Sequence, residues 1–554
     1  MQNEKCKIGA YSLLFPAIIF WSATLWAQTG LRPVPPPIGK DFIGTMHFLS
    51  SDWMEGREAG ASGGFMAADY ISSMMQQYGL APLGDFDQSV AETSKGKSGK
   101  PPLQPTYFQN FEVVRYKVEK ATLAFNRHTA TSKTELQLSP GIDFELRSGP
   151  NGMEAEGQLV FAGYGISVPG IGYDDYKGLD VNGRVAVVLT GFPGHADTTS
   201  MAWKNFGKNH GEELSSLEEK LRVAEKHGAV ALIIVTPDGS FKPYSQSQSN
   251  LDIVQAAMNS PKITDRRYDD PDYALPGDTS VSNAPCFSLG PRVTNLLFDG
   301  TGIILKDFET KIARDLSPAS LPLKDKMIGF SVLVKSESLV VRNVLGIIRG
   351  KDSTKSIVVG AHYDHLGIRN GQIYHGADDN ASGSSGMLAL AKVWMEHGEP
   401  PACNIIFAAW TAEEKGLLGS SYFVKATKAN PEKTLIYINM DMISRNAPED
   451  TAHSILSIGT RPGDENLRKI ANESNLRLSH PFKLDLWDVT GHTGSDYASF
   501  TAVKVPVMTF FSGFHEDYHT PRDVAAKADT AKMAEILKIA NDGIRAFAQS
   551  PFPK

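Results

Sequence analysis

The C-terminal half of the chain carries five side chains of the types that bind metal ions. Each lies at the end of a predicted strand or in the loop that follows, and they are His362, Asp379, Glu414, Asp441 and His519. Imidazole and carboxylate groups are suitable ligands for Zn²⁺, and this set suits two ions per chain. Glu413, directly before Glu414, is a further carboxylate that the ions do not need. Two metal ions beside a spare carboxylate are typical of a hydrolytic site.

Asp379 is the residue that we expect to bridge the two ions. Residues 376–383 read Gly-Ala-Asp-Asp-Asn-Ala-Ser-Gly, which predicts a tight turn into a helix with room for two ions. A carboxylate between two zinc ions roughly 3.5–4 Å apart is a common arrangement in such sites. A structural ion pair is the better explanation for one buried carboxylate, but five such side chains at strand ends favour a metal site.

The elements that would position these side chains begin near residue 340, where strands and helices alternate. Predicted strands are 340–348, 356–360, 404–409, 434–440, 453–458 and 505–511, and predicted helices are 384–397, 416–429, 464–474 and 522–548. Apolar strands between helices predict an α/β fold with a mostly parallel or mixed sheet flanked by helices. Ligands gather at the carboxyl ends of strands in such sheets, and His362, Glu413 and Asp441 fall there.

The N-terminus predicts export. Lys5 and Lys7 precede residues 8–27, a run without charged residues, which is typical of a secretory signal peptide cleaved near Ala27. The alternative is an uncleaved membrane anchor, since about 20 apolar residues can span a bilayer, although Pro16 interrupts the run. We expect no membrane span after signal removal, and a periplasmic or extracellular location.

A chain of 554 residues is expected to form more than one domain. The predicted parts are a signal peptide (1–27), N-terminal helices and strands that pack on the catalytic domain (28–135), a β-rich insert (136–325) and a catalytic domain (326–554). Residues 182–188 and 220–229 resemble the strand and the helix-to-strand elements of a protease-associated domain. That resemblance implies a non-catalytic lid or recognition module.

Net charge and cysteine content limit the kinds of molecule that the protein could bind and the bonds that it could form. The net charge of −7 provides no basic surface for phosphates, so nucleic acid is excluded as a partner. Outside the predicted signal peptide the chain has only Cys286 and Cys403, which lie far apart in different predicted parts. We expect both to be buried thiols and not a disulfide. The sequence gives no oligomeric state.

The order His, Asp, Glu-Glu, Asp, His resembles that of the co-catalytic zinc aminopeptidases of peptidase family M28, a family that also includes glutamate carboxypeptidase and glutaminyl cyclases. The resemblance covers about residues 340–547 and the segment 55–60. It implies that His362 and Asp441 hold one zinc ion, that Glu414 and His519 hold the other, and that Asp379 bridges them. One departure is Tyr497, where many relatives carry His.

The same resemblance implies three further roles. Asp364 would orient His362, Glu413 would act as general base, and Tyr518 would donate a hydrogen bond to the developing oxyanion. The expected function is an exported aminopeptidase that acts on peptides. Dipeptidase or carboxypeptidase action is an alternative that needs a cationic pocket, for which Arg445 is a candidate. A non-enzymatic receptor on the same scaffold is the alternative from another class.

Three other motifs do not support a site. His515–His519 matches H-E-x-x-H, but Gly513 and Pro521 leave no room for the helix that this zinc motif requires. Residues 60–64 match G-x-S-x-G, yet no apolar strand leads into them. We expect His365 and His375 to be solvent-exposed loop residues.

Overall fold

The computed structural model of the chain describes residues 38–87, 103–149, 151–236, 272–277 and 283–549. The predicted signal peptide lies outside the described residues. In the described ranges no helix combines the length and the apolar composition that a membrane crossing requires.

The N-terminal part is helical, as predicted. Helix α1 (Asp41–Leu49) and helix α2 (Ser62–Tyr78) flank a 3₁₀ turn at Asp52–Arg57. Helix α2 begins at the G-x-S-x-G match, and a Cβ atom at Gly63 would lie only 1.9 Å from the carbonyl oxygen of Met54. The glycines of this motif therefore allow close packing of the helix on the turn, and no strand precedes them.

The middle of the chain is rich in strands. Its strands are β1 (Ala81–Pro82), β2 (Phe108–His128), β3 (Lys133–Gln137), β4 (Phe144–Ser148), β5 (Met153–Phe161), β6 (Ser167–Val168), β7 (Tyr173–Asp174), β8 (Val185–Leu189), β9 (Ala231–Val235), β10 (Asp272–Ala274) and β11 (Cys286–Leu289). Its helices are α3 (Met201–Ser215), α4 (Leu217–Lys226), α5 (Pro291–Phe298) and α6 (Leu305–Asp315). Strands β5, β8, β9 and β11 are parallel neighbours, and α4 and β9 confirm the helix and the strand that the sequence predicts there.

The C-terminal part alternates strands with helices. Its strands are β12 (Leu321–Ile348), β13 (Asp352–His362), β14 (Ile368–Arg369), β15 (Gln372–Ile373), β16 (Cys403–Trp410), β17 (Thr434–Met440), β18 (Ile455–Thr460), β19 (Lys483–Asp488) and β20 (Val507–Phe511). Its helices are α7 (Gly383–His397), α8 (Leu418–Thr427), α9 (Glu465–Asn475), α10 (Tyr497–Thr501) and α11 (Thr530–Ala548).

The main sheet of this part has the strand order β19-β18-β20-β17-β13-β16-β12. Strands β20, β17, β13 and β16 are parallel neighbours. Strand β18 runs antiparallel to β20 and parallel to β19, and β12 runs antiparallel to β16. The predicted α/β fold with a mixed sheet is therefore confirmed. Apolar residues of α1, α2, α7 and α11 cover one face, and α8 and α10 pack on the other.

Two long strands join this sheet to the middle part. Strand β12 pairs with β2 from Lys326 to Val344, with β5 near its start and with β16 near its end. The predicted boundaries at 135/136 and 325/326 fall inside strands β3 and β12. The division into an insert and a catalytic domain, and the likeness of the insert to a protease-associated domain, stay predictions.

One predicted helix begins later than expected. Helix α11 starts at Thr530 and not near Arg522, because the Asp529 side chain accepts a hydrogen bond from the Lys532 amide and caps it. The residues before it form a loop that brings Asp523 to the turn at 376–383. Asp523 accepts hydrogen bonds there from the amides of Asp378 and Asp379.

Both remaining cysteines are free and buried, which confirms the prediction. Cys286 opens strand β11 and Cys403 opens strand β16. Burial raises the pKa of the Cys403 thiol to about 12, so this thiol stays protonated and unreactive at neutral pH.

Close packing at Gly383 generates a first prediction. A Cβ atom there would lie 2.2 Å from the carbonyl oxygen of Met440, next to Asp441. Since Gly383 has an ordinary helical φ of −62°, Gly383→Ala would act by steric overlap alone and lower the free energy of unfolding by about 1–3 kcal/mol. Denaturant unfolding followed by circular dichroism measures this loss.

Gly44→Ala is the matched control, because Gly44 lies in helix α1 with open space where its Cβ atom would be. This change should leave stability equal or raise it by about 0.5–1 kcal/mol. Equal stability of the two variants would contradict the packing argument.

Candidate metal centre

The structure brings all five predicted metal ligands together at the carboxyl ends of four adjacent parallel strands. His362 ends β13, Asp441 follows β17, Glu414 follows β16 and His519 lies beyond β20. Asp379 comes from the tight turn that leads into α7. The site is therefore assembled by the parallel alignment of β20, β17, β13 and β16.

Asp379 lies between two groups of candidate ligands. Its Oδ1 atom is 3.3 Å from Nε2 of His362, and its Oδ2 atom is 3.0 Å from Nε2 of His519. The two oxygens of one carboxylate thus face different imidazoles. This is the geometry that a bridging carboxylate requires.

Two clusters of ligand atoms result. His365, Asp379, Glu414 and His519 form one, and His362, Glu413 and Asp441 form the other; within each, the ligand atoms lie within 4.8 Å of one another. In the second cluster, Nε2 of His362 is 3.4 Å from Asp441 and 3.8 Å from Glu413. Glu413 is therefore close enough to act on a group held between the clusters.

The expectation that His365 is solvent-exposed is wrong. His365 is 0% exposed, and its Nδ1 atom lies 2.6 Å from Oε1 of Glu414 and 3.7 Å from Oδ2 of Asp379. Its position three residues after His362, just past the end of β13, is the sequence signal that could have placed it here. His375 is also not fully exposed: its side chain is 20% exposed, and its ring contacts Asp52 and the carbonyl oxygen of Pro521, outside both clusters.

The surrounding groups orient the candidate ligands. Nδ1–H of His362 donates to the backbone oxygen of Asp364 at 3.1 Å, which turns Nε2 towards Asp379. The Asp364 carboxylate accepts from the Glu413 amide at 3.1 Å. Ser495 Oγ donates to Oδ2 of Asp441 at 2.7 Å, a contact that the sequence did not reveal.

Many carboxyl groups are buried close together in this site, and their charges shift the pKa values of the side chains around them. Burial lowers the pKa of His519, but the charges of Glu414 and Asp379 outweigh it and raise that pKa to about 9. Burial raises the pKa of Glu413 well above its ordinary value, and the carboxylates of Asp441 and Glu414 add to this effect. So much buried negative charge favours the binding of cations.

The donor set fits two zinc ions. It offers imidazole nitrogens and carboxylate oxygens only, in two clusters that share one carboxylate, and zinc binds both atom types. The residues that could hold the ions are His362 and Asp441 on one side, Glu414 and His519 on the other, and Asp379 between them. His365 lies against the second group.

The remaining sequence candidates lie around this centre. The ring of Tyr518 stacks on the ring of His519 with 3.8 Å between centroids. Tyr497 is buried and packs edge-on against Trp487. Arg445 lies 3.0 Å from Asp517, a carboxylate that also contacts Arg522 and Lys527.

The H-E-x-x-H match is not a zinc motif of the helical kind. Residues 516–519 form a turn, and the two imidazoles have different partners. His515 lies 3.3 Å from Asp378, whereas His519 faces Asp379 and Glu414. The structure thus supports the sequence argument against this motif.

A cavity of about 770 Å³ is lined by residues 447–450, 455, 457, 483–485 and 511–516, which include none of the five candidate ligands. Its lining combines the apolar side chains of Phe511, Phe514, Ile455 and Leu484 with the charged side chains of Glu449, Asp450, Lys483, Asp485 and Glu516. The ring of Phe514 contacts the ring of Tyr518 at 4.9 Å, which in turn stacks on His519. The cavity is therefore connected to the candidate ligands through aromatic side chains.

The contact between His365 and Glu414 generates a second prediction. His365→Ala would leave the Glu414 carboxylate without this partner, and we expect affinity for one of two zinc ions to fall by about 10–100-fold. Zinc titration against a competing chelator measures the zinc affinity of each variant. His375→Ala, on the same loop but outside both clusters, should leave zinc binding unchanged; equal effects of the two changes would contradict the placement.

Part of the chain is similar in sequence to several known peptidases. Leucine aminopeptidase 2 of Trichophyton equinum is 30% identical over 225 residues, which are 39% of this chain and 42% of the relative. Aminopeptidase YwaD of Bacillus subtilis (strain 168) is 30% identical over 191 residues, 33% of this chain and 39% of the relative. A glutamate carboxypeptidase 2 homolog of Caenorhabditis briggsae is 30% identical over 235 residues, 35% of this chain and 28% of the relative. The chain matches less than half the length of each of these curated relatives.

The fold as a whole is similar to a solved structure. The aminopeptidase from Aneurinibacillus sp. strain AM-1 superposes with a TM-score of 0.54 at 20% sequence identity, covering 93% of this chain and 95% of that one. At this identity the likeness shows a shared fold. Residues 343–542, which hold every candidate ligand, match the model of Peptidase family M28. This part of the chain is therefore similar to peptidase family M28, as its motifs predict.

Proposed function

We propose that this chain is an exported zinc-dependent aminopeptidase that removes N-terminal residues from peptides. The observation that carries the proposal is the Asp379 carboxylate, whose two oxygens face His362 and His519 at 3.3 and 3.0 Å. One carboxylate between two ligand groups supports a centre for two ions. Cobalt or manganese could bind the same donor atoms.

The chemistry divides between the ions and the chain. When bound, two zinc ions would lower the pKa of a water molecule between them and polarise the scissile carbonyl. Glu413 would accept the proton of the attacking water at a carboxylate oxygen and return it to the leaving amine. The carboxylate of Glu413 lies 3.8 Å from His362, and its raised pKa supports the capacity to hold that proton.

Tyr518 would stabilise the oxygen that becomes negative. Burial and the nearby carboxylates of Asp379 and Glu414 raise the pKa of Tyr518 well above its ordinary value. Its hydroxyl therefore keeps its proton at neutral pH and can donate a hydrogen bond. Stacking of its ring on His519 fixes it beside the proposed ligands.

The cavity would take the side chain of the N-terminal residue. Phe511, Phe514, Ile455 and Leu484 offer contacts to a large apolar side chain, and the four carboxylates of the lining, against one lysine, disfavour an acidic one. Export is proposed from residues 8–27 alone, because the uncharged run after Lys5 and Lys7 is typical of a signal peptide.

The alternatives have less support. Carboxypeptidase or dipeptidase action needs a free cation for a substrate carboxylate, and the candidate Arg445 is engaged by Asp517. A receptor role would leave the complete set of five ligands and Glu413 without a purpose. The names of the relatives include both aminopeptidases and glutamate carboxypeptidases, so a substrate test decides between these activities.

Replacement of the proposed base is a third prediction. Glu413→Gln keeps the shape of the side chain but removes its capacity to accept a proton, so kcat should fall by about 10²–10⁴-fold. Zinc content, measured by mass spectrometry, should stay at two ions per chain. Glu432→Gln changes an exposed residue and serves as control. Full activity of Glu413→Gln would exclude its role as base.

The substrate class is a fourth prediction. The purified protein should hydrolyse chromogenic substrates with a free α-amino group. Leucyl and phenylalanyl groups should be preferred over glutamyl groups, because the cavity lining combines apolar side chains with an excess of carboxylates. N-acetylated versions of the same compounds should resist cleavage. Zinc binding without cleavage of any of them would contradict the aminopeptidase proposal, and cleavage of C-terminally free peptides alone would favour a carboxypeptidase.

A further inference from the structure

Arg57 is a fully buried cation next to the proposed metal centre. Its residue is 0% exposed, and its guanidinium donates four hydrogen bonds, all to backbone carbonyl oxygens. The acceptors are Tyr363 and Leu49 at 2.6 Å, His375 at 2.7 Å and Gly376 at 2.8 Å. Such a group costs several kcal/mol to bury without partners, so these four bonds hold it firmly.

The four acceptors belong to three segments that are distant in sequence. Tyr363 lies between His362 and His365, whereas His375 and Gly376 lie just before Asp379. Leu49 ends helix α1. One side chain therefore ties the two segments that supply His362, His365 and Asp379 to each other and to the N-terminal helices.

The backbone of the same turn adds to this contact. The carbonyl oxygen of Arg57 accepts from the His365 amide at 3.3 Å, and that of Gly56 accepts from the Gly367 amide at 3.0 Å. Gly56 has a φ of +70°, and a Cβ atom on it would lie 2.5 Å from the Gly367 carbonyl oxygen. Glycine is thus required for the turn to reach the loop that carries His365.

The guanidinium also balances charge. Burial lowers the pKa of Arg57 to about 10, against the opposing effect of Asp379, Asp523, Asp364 and Glu414. Arg57 is therefore charged at neutral pH. None of its four hydrogen bonds goes to a carboxylate, so the ligand carboxylates remain available while their charge is partly offset.

We propose that Arg57 is a positioning residue of the metal centre, which fixes the backbone on both sides of His362, His365 and Asp379 so that their side chains converge on the ions. This inference rests on the function proposed above and assigns a task to the N-terminal segment 52–57. A planar group with five donors can hold carbonyls of three segments at once, which a lysine ammonium cannot do equally well.

The test compares zinc affinity in the full chain carrying Arg57→Lys or Arg57→Gln. We expect Arg57→Gln to weaken zinc binding by about 10–100-fold, the range for groups that orient metal ligands. Arg57→Lys keeps the charge and up to three donors, and its loss should be smaller. Cobalt-substituted protein gives a second measure, because its visible absorption spectrum changes when the ligands are displaced.

Lys326→Met is the matched control. Lys326 is another buried cation whose ammonium donates to backbone carbonyl oxygens, those of Leu297 and Asp299. Lys326 lies in β12 opposite Arg127 of β2, and it belongs to neither ligand cluster. This variant should lose stability while its zinc affinity and cobalt spectrum stay those of the wild type.

The possible outcomes separate the positioning role of Arg57 from the proposed function. Folded Arg57 variants that bind zinc as tightly as the wild type would overturn the positioning role and leave the proposed function intact. Failure of both Arg57 variants to fold, while Lys326→Met folds, would assign Arg57 to general stability and also overturn it. A wild-type protein that binds no zinc would overturn the proposed function, and this inference with it.

Discussion

The parallel alignment of four adjacent strands is the constraint on which the rest of the structure depends. Strands β20, β17, β13 and β16 share one direction and are paired in register, so their carboxyl ends meet along one edge of the sheet. His362 is the last residue of β13, Asp441 directly follows β17, and Glu414 lies in the loop after β16. Without this alignment, residues that are far apart in sequence could not approach to within about 3–4 Å, the separation that binding one ion requires.

Because the ligand side chains converge at this edge, several carboxyl groups are buried close together there. Asp364, Asp379, Glu414 and Asp496 are buried or nearly so, and burial raises the pKa of Asp364 and of Asp496 to about 7. The fold offsets part of this charge with buried imidazoles and with Arg57, whose guanidinium is bonded only to carbonyl oxygens. The proposed zinc ions would supply the rest, which links stability of this edge of the sheet to metal binding.

The middle part of the chain reaches the same region. Lys415, directly after Glu414, pairs with Glu58 at 3.4 Å and lies over the ring of Tyr273 at 5.0 Å. Tyr273 belongs to β10, which pairs with the long strand β2. The loop that carries the proposed base and one ligand is therefore bounded by the N-terminal segment on one side and by the predicted insert on the other.

The sequence by itself determined the elements of the C-terminal part and the five ligand candidates. Apolar runs between helical segments give a strong local signal, and carboxylates or imidazoles in Gly- and Ala-rich loops at strand ends are unusual enough to identify. Only the tertiary structure placed Ser495, Asp523 and Arg57, because their contacts join segments whose separation along the chain carries no local pattern. Arg57 is the clearest case: a buried guanidinium bonded to backbone oxygens depends on where four carbonyl groups meet, and residue types alone do not encode that meeting point.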